Sequence, residues 1–114
     1  MRPGEIVLLR LPQPDLSPGK LRPVLVLAEL PGPFGDCLVR GISSQLHQEM
    51  RDWDERLTHA DADFATGGLK FSSVIRLNWL AAVNPTTSIG TLGSVATARL
   101  ARLRQRLAAH LSSP

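Results

Sequence analysis

Apolar residues in the first half of the chain fall into short runs separated by proline and glycine. The runs at 4–11, 24–28 and 37–44 have the length and the β-branched content of buried strands. Proline clusters at 12–18 and 31–33 separate these runs, because proline cannot continue a strand ladder. The pattern predicts three strands joined by loops.

The second half combines a strand pattern with a helix pattern. Between 71 and 83 most odd positions are apolar and the even positions 72, 76 and 78 are polar, which predicts a strand with one face in the core. The apolar odd positions are Phe71, Ile75, Leu77, Trp79, Ala81 and Val83. A short strand is predicted at 89–92, followed by a helix with Ser94 as N-cap and one leucine stripe. The stripe comprises Leu100, Leu103, Leu107 and Leu111. The middle segment, 45–68, is weakly patterned, with one short strand near 53–57.

Short strands followed by a terminal helix predict a mainly β fold, a small antiparallel barrel with the helix packed against it. The length of 114 residues fits one domain spanning 1–114. Cys37 is the only cysteine, so the chain forms no intramolecular disulfide and suits a reducing cytoplasm. The longest apolar run, 24–28, is too short to cross a bilayer. We therefore expect a cytoplasmic protein with no membrane contact.

Charge is distributed unevenly along the chain. Residues 70–114 carry six Lys/Arg and no Asp/Glu, whereas residues 41–69 carry two against six. Such asymmetry favours binding of a phosphate backbone or an acidic protein on one face. The acidic segment lacks the pattern of a calcium loop, and the histidines lack metal-ligand spacing, so no metal and no cofactor are expected. We interpret the acidic segment as solvated loop and the helix arginines 99, 102, 104 and 106 as a solvated stripe.

Five segments of the chain carry a family resemblance. They are GEIV at 4–7, KLRPVLVL at 20–27, ISSQ at 42–45, GLKFSSVIRL at 68–77 and IGTLG at 89–93. In this order the sequence resembles MazF/PemK-type toxins of type II toxin-antitoxin systems, over about residues 4–107. The resemblance implies an SH3-like barrel, a homodimer, and a cognate acidic antitoxin that covers the active surface. It also implies a metal-independent endoribonuclease that cuts single-stranded RNA and so inhibits growth.

The resemblance further implies that Arg22 and Ser43 are functional, with the neighbouring Ser44 as an alternative. Cutting RNA without metal requires its 2′-hydroxyl to attack the adjacent phosphorus, which leaves a 2′,3′-cyclic phosphate and a 5′-hydroxyl. A planar guanidinium matches two phosphate oxygens at once, and a serine hydroxyl can orient the same phosphate. Further RNA contacts are expected from Lys20, Gln45, His47, Lys70, Ser72, Arg76 and Asp15.

The sequence departs from the family at one catalytic position. Some relatives carry an arginine and an aspartate two residues apart before the fifth strand, and the aspartate is the proposed base. The aligned residues here are Lys70 and Ser72, so the carboxylate is missing. Asp15 and His47 are the candidate replacements, the latter for its ordinary pKa near ~6.5.

Two other functions stay open. One is a toxin of the same barrel that poisons a protein such as DNA gyrase, which the Arg22 and Ser43 pair disfavours. The other is a degenerate member that binds RNA or antitoxin without cutting, which Ser72 favours.

Overall fold

The computed structural model of the chain describes residues 1–11 and 19–114. Within these residues six strands form one antiparallel sheet in the order β4-β5-β3-β2-β1-β6. The strands are β1 Glu5–Leu11, β2 Lys20–Glu29, β3 Cys37–Ser43, β4 Glu55–Leu57, β5 Ser73–Val83 and β6 Ser88–Ser94. Two short 3-10 helices, Leu46–Gln48 and Pro85–Thr87, accompany α1 Phe64–Gly67 and α2 Thr97–Ser112. The curled sheet with its terminal helix confirms the predicted SH3-like antiparallel barrel plus C-terminal helix.

Both faces of the sheet carry apolar side chains. Successive residues of a strand point to opposite faces, and in the central strands both sets are apolar. Leu25 and Leu27 of β2 belong to a helix-side cluster that α2 completes with Leu103 and Leu107. The intervening Val24 and Val26 belong to a site-side cluster on the opposite face. Val7, Leu9, Cys37 and Val39 complete the site-side cluster, with Trp79, Ala81 and Val83 packed against it. β2 and the strands beside it are therefore buried on both faces, which explains their continuous apolar runs.

An irregularity in β5 changes which face its side chains occupy. Arg40 of β3 pairs with Leu80, but the next residue, Gly41, pairs with Arg76. The three residues of β5 between these pairs, 77–79, therefore have no partner in β3. As a result Ile75 and Leu77 lie in the helix-side cluster, whereas Trp79 and the odd positions after it lie against the site-side cluster. The prediction that all odd positions share one core face is wrong, and Phe71 is exposed.

A buried carboxylate stabilises this irregularity. Asp54 accepts hydrogen bonds from the backbone N–H of Leu77 at 2.7 Å and of Met50 at 2.9 Å. It therefore gives an acceptor to a β5 amide at the point where the strand ladder is interrupted. Arg40 is fully buried nearby, on the same face of β3 as Ile42, without a hydrogen-bond partner for its guanidinium among the described residues. Burial lowers the pKa of Arg40 to about 9, against the opposing effect of the Asp54 charge.

The terminal helix is held by charges as well as by leucines. Arg99 of α2 is buried and donates to Asp63 from Nε at 2.8 Å and from Nη2 at 3.1 Å. Its Nη1 donates to Glu55 Oε1 and to the Arg56 carbonyl, both at 2.9 Å. The interpretation of all helix arginines as solvated is therefore wrong for Arg99. Asp54, Glu55 and Asp63 are also buried, which corrects the interpretation of the acidic segment as solvated loop.

The start of α2 also differs from the prediction. The N-cap is Ala96, and Ser94 is the last residue of β6. Asp63 accepts a hydrogen bond from the N–H of Ala96 itself at 2.9 Å, so this carboxylate anchors the start of the helix, but the cap side chain expected from Ser94 is not supplied at the N-cap. Among the described residues, no helix has both the length and the apolar character needed to cross a membrane.

Candidate anion-binding site

The register between β2 and β3 brings Arg22 and Ser43 together. Val24 pairs with Gly41 at the end of this antiparallel ladder, and just beyond that pair Arg22 lies two residues before Val24 while Ser43 lies two residues after Gly41. Arg22 and Ser43 both line a cavity of about 400 Å³, here called the first cavity. Arg22 has the parity of Val24 on β2, and Ser43 has the parity of Val39 on β3, so both lie on the face of the site-side cluster. The predicted pair therefore shares one surface depression.

Trp79 forms a wall of the first cavity by lying over Gly41. A Cβ atom at position 41 would stand 2.7 Å from the indole ring, closer than atoms of this kind approach one another. Only glycine leaves room for the ring at this point. The irregularity in β5 thus turns Trp79 toward the cavity, and the glycine in β3 lets it close the cavity wall.

Hydrogen bonds connect the polar side chains of the first cavity. The Ser43 hydroxyl donates to Gln48 Oε1 at 3.1 Å and accepts from the Gln45 N–H at 3.1 Å. Arg76 Nη1 donates to the same Gln48 oxygen at 3.5 Å. One amide oxygen therefore receives a serine and an arginine donor, which are the donors that a phosphate oxygen prefers.

A second cavity of about 590 Å³ adjoins the first. The two share Arg22, Pro23, Ile42, Ser43 and Gln45 as lining residues. The second extends from these residues past Lys70 and Phe71 to Leu92 of β6. None of the described residues that line either cavity is aspartate, glutamate or histidine, whereas three are Arg or Lys. This charge suits an anionic ligand.

The residues predicted from the sequence divide into four groups. Arg22, Ser43, Gln45 and Arg76 line the first cavity, and Ser44 and Lys70 line the second. Lys20, His47 and Ser72 lie outside the lining of both. Asp15 falls outside the described residues. The structure therefore gathers an arginine pair, a serine and an amide, without a histidine beside them.

Two neighbouring positions show how the lining differs from the sequence-based expectation. His47 is exposed on its short helix, and the next residue, Gln48, faces the first cavity instead. Ser73, the neighbour of Ser72, is buried in the second cavity and donates to the Phe71 carbonyl at 2.8 Å. No sequence pattern marks Gln48 as a lining residue. Trp79, on the apolar parity of its strand, packs against the site-side cluster and also lines the first cavity. Within the described ranges no three His, Cys, Asp or Glu side chains cluster as a metal site.

The fold and the site together define a class of protein, a small curled barrel with a basic, serine-containing depression suited to an anionic ligand. Residues 2–111 match the family model described as PemK-like, MazF-like toxin of type II toxin-antitoxin system. The chain belongs to this family. Membership implies an antitoxin as partner. No curated protein matches the chain significantly.

Proposed function

We propose that the protein is an endoribonuclease that cuts single-stranded RNA without a metal ion and thereby inhibits growth. The observation that carries the proposal is that Arg22 and Ser43, from neighbouring strands, line one basic cavity. Single-stranded RNA is the expected substrate because its unstacked bases are accessible to side chains.

In the proposed reaction the ribose 2′-hydroxyl attacks the adjacent phosphorus. The new bond closes a 2′,3′-cyclic phosphate, and the bond from phosphorus to the 5′ oxygen breaks, so the downstream fragment leaves with a 5′-hydroxyl. The 2′-hydroxyl loses one proton and the leaving oxygen gains one. Arg22 binds two nonbridging oxygens through its planar fork and stabilises the negative charge that grows on them.

Arg76 and Ser43 support this step. Arg76 Nη1 lies 3.5 Å from the same Gln48 oxygen that the Ser43 hydroxyl contacts at 3.1 Å, so both can reach one acceptor atom. A phosphate oxygen in place of the Gln48 oxygen would receive both donors. Ser43 thus orients the phosphate, and the two guanidinium groups neutralise it. Asp15 and His47 are the candidate proton acceptors that the sequence offers.

The remaining features of the proposal follow the family. The protein acts as a homodimer in the cytoplasm, and an acidic antitoxin covers the basic cavities. Binding of RNA weakens as salt rises, because each phosphate contact releases counterions. A dimer and a salt-dependent affinity are directly measurable by light scattering and by titration.

The second candidate function is an RNA-binding member that does not cut. It is favoured by the lack of any carboxylate or imidazole among the described lining residues, since proton transfer normally uses one of these groups. Poisoning of DNA gyrase through the same barrel would leave the shared cavity lining of Arg22 and Ser43 without a role.

Incubation of the protein with end-labelled single-stranded RNA in EDTA tests the proposal. We expect fragments with cyclic-phosphate and 5′-hydroxyl ends, and Arg22→Ala should reduce turnover about 10²-fold or more. Arg104→Ala, at an exposed helix position outside both cavities, is the matched control and should cut normally. Near-normal cleavage by Arg22→Ala would refute the assignment, and binding without cleavage would establish the second candidate.

A further inference from the structure

Three apolar side chains of the second cavity are exposed to solvent. They are Leu21 of β2, Phe71 in the segment before β5, and Leu92 of β6. Phe71 is 67% exposed, although an aromatic ring gains more than most side chains from burial. These residues lie beside Arg22 and Ser43, which line the same cavity. An exposed aromatic ring beside a cationic surface is typical of a binding site for a ligand that is both flat and negatively charged.

The segment that carries Phe71 is held firmly against the sheet. Gly68 has a positive φ of 77°, and a Cβ atom there would stand 2.1 Å from the Leu92 carbonyl oxygen. A Cβ atom at Gly93 would stand 2.0 Å from the Thr66 carbonyl oxygen. These contacts require glycine on both sides, so the backbone of the segment packs directly on β6. The Ser73 hydroxyl then fixes the Phe71 carbonyl at 2.8 Å.

The surroundings of the ring match a nucleotide. Lys70 and Arg22 supply positive charge, and Ser44 and Gln45 supply hydrogen-bonding groups. No acidic side chain is among the described residues that line this cavity. The cavity volume of about 590 Å³ is large enough for a single planar base. An apolar peptide would use the three exposed side chains but leave the cations without a function.

We propose that the second cavity binds one unpaired nucleobase of the RNA, stacked on the Phe71 ring. The phosphodiester next to this base lies at Arg22 and Ser43, which both cavities share. This inference rests on RNA as the proposed substrate. Every base presents a flat face, so the stack provides affinity and register with little preference among bases.

Binding of an uncut RNA separates this inference from catalysis. The probe is a fluorescein-labelled single-stranded oligonucleotide with 2′-O-methyl riboses, which lacks the attacking hydroxyl. We expect Phe71→Ala to weaken binding about 5- to 100-fold, the range for loss of one base–aromatic stack. Phe71→Trp retains a ring and should bind like the unmodified protein. Phe34→Ala, at a position that is 73% exposed and outside both cavities, is the matched control and should also be unchanged.

A set of oligonucleotides with one abasic nucleotide at each successive position identifies the stacked base. With the unmodified protein, one abasic position should weaken binding, and Phe71→Ala should remove that difference. Equal affinity of Phe71→Ala and the unmodified protein would overturn the inference. The inference would also be overturned if every abasic position weakened binding to the unmodified protein equally. It would be overturned as well if Phe71→Ala bound RNA normally but lost its contact with a second copy or with the antitoxin.

The same set of measurements keeps the two proposals apart. Loss of binding in Arg22→Ala with no effect of Phe71→Ala would reject the base site alone. If the unmodified protein neither binds nor cuts RNA, both proposals fail together.

Discussion

Removing the Arg99 guanidinium should cost the fold a large part of its stability. Arg99→Met keeps the aliphatic stem but removes all four hydrogen bonds to Asp63, Glu55 and the Arg56 carbonyl. Glu55 keeps Arg102 at 3.0 Å and Arg106 at 3.0 Å, so its charge stays neutralised. Asp63 keeps the Ala96 N–H as donor and would be a buried charge without a hydrogen-bonded cation, since Arg102 acts on it only through its charge and pairs directly with Glu55.

The expected loss is about 3–5 kcal/mol in the free energy of unfolding, the usual cost of leaving one partner of a buried ion pair behind. Domains of this kind are stable by about 5–15 kcal/mol, so the variant remains folded only by a small margin. Urea denaturation of both proteins at neutral pH measures the difference. Arg104→Met, at an exposed position of the same helix, should change stability little.

The pH dependence tests the cause of this loss. Hydrogen bonds from Arg99 hold the pKa of the Asp63 carboxyl below its usual range. Asp63 therefore stabilises the fold above its unfolded pKa of about 3.9, and this contribution disappears as pH falls through the lower folded pKa. Without Arg99, burial favours the protonated carboxyl. The difference between the two proteins should be largest above about pH 5 and shrink toward pH 3.

Two results would refute this reasoning. One is a loss below about 1 kcal/mol at neutral pH, the scale of an exposed ion pair. The other is a loss that does not change between pH 7 and pH 3. The double variant Arg99→Met/Asp63→Asn removes the stranded charge and keeps an acceptor for Ala96, so it should regain part of the lost stability. A double variant less stable than Arg99→Met would contradict the ion-pair explanation.

Two further predictions concern the first cavity. Gly41→Ala should displace the Trp79 ring and destabilise the fold by about 1–3 kcal/mol, measured by urea denaturation. On a Trp53→Phe background the fluorescence of Trp79 alone reports its displacement, and an unchanged emission spectrum would contradict the contact. Gln48→Glu should place a carboxylate between Ser43 and Arg76, where it competes with the RNA phosphate for both donors and lowers RNA affinity about tenfold or more. Gln48→Ala should not lower the affinity in this way, and equal affinities of the two variants would exclude the competition.

Most of the strands and the terminal helix could be predicted from the sequence because each depends on a short-range pattern, and the family resemblance named Arg22 and Ser43 as candidates. A strand alternates with a period of two, so the parity of Arg22 and of Ser43 relative to their apolar neighbours assigns each to a face. Two adjacent antiparallel strands then bring the ends of β2 and β3 together. Neither step needs information from distant residues.

The irregularity in β5 could not be predicted in this way. It depends on Asp54, which bonds the Leu77 amide from a position 23 residues earlier. The odd-numbered residues of β5 from 75 to 83 are apolar on both sides of the irregularity. The sequence pattern therefore does not show that the strand changes faces. The burial of Arg99 has the same origin, because its carboxylate partners lie 36 and 44 residues away. Gln48 lies in a segment with no periodic pattern.

Arg22 and Ser43 lie on paired interior strands, apart from the segment that supplies Lys70 and Phe71. Their spacing is set by the ladder between β2 and β3, which is flanked by β1 and β5 and is not a sheet edge. The wall that carries Lys70 and Phe71 comes from a separate connecting segment. That segment can be exchanged for one with other side chains while the guanidinium and the hydroxyl stay where they are. The barrel is therefore a fixed platform onto which new ligand preferences can be grafted.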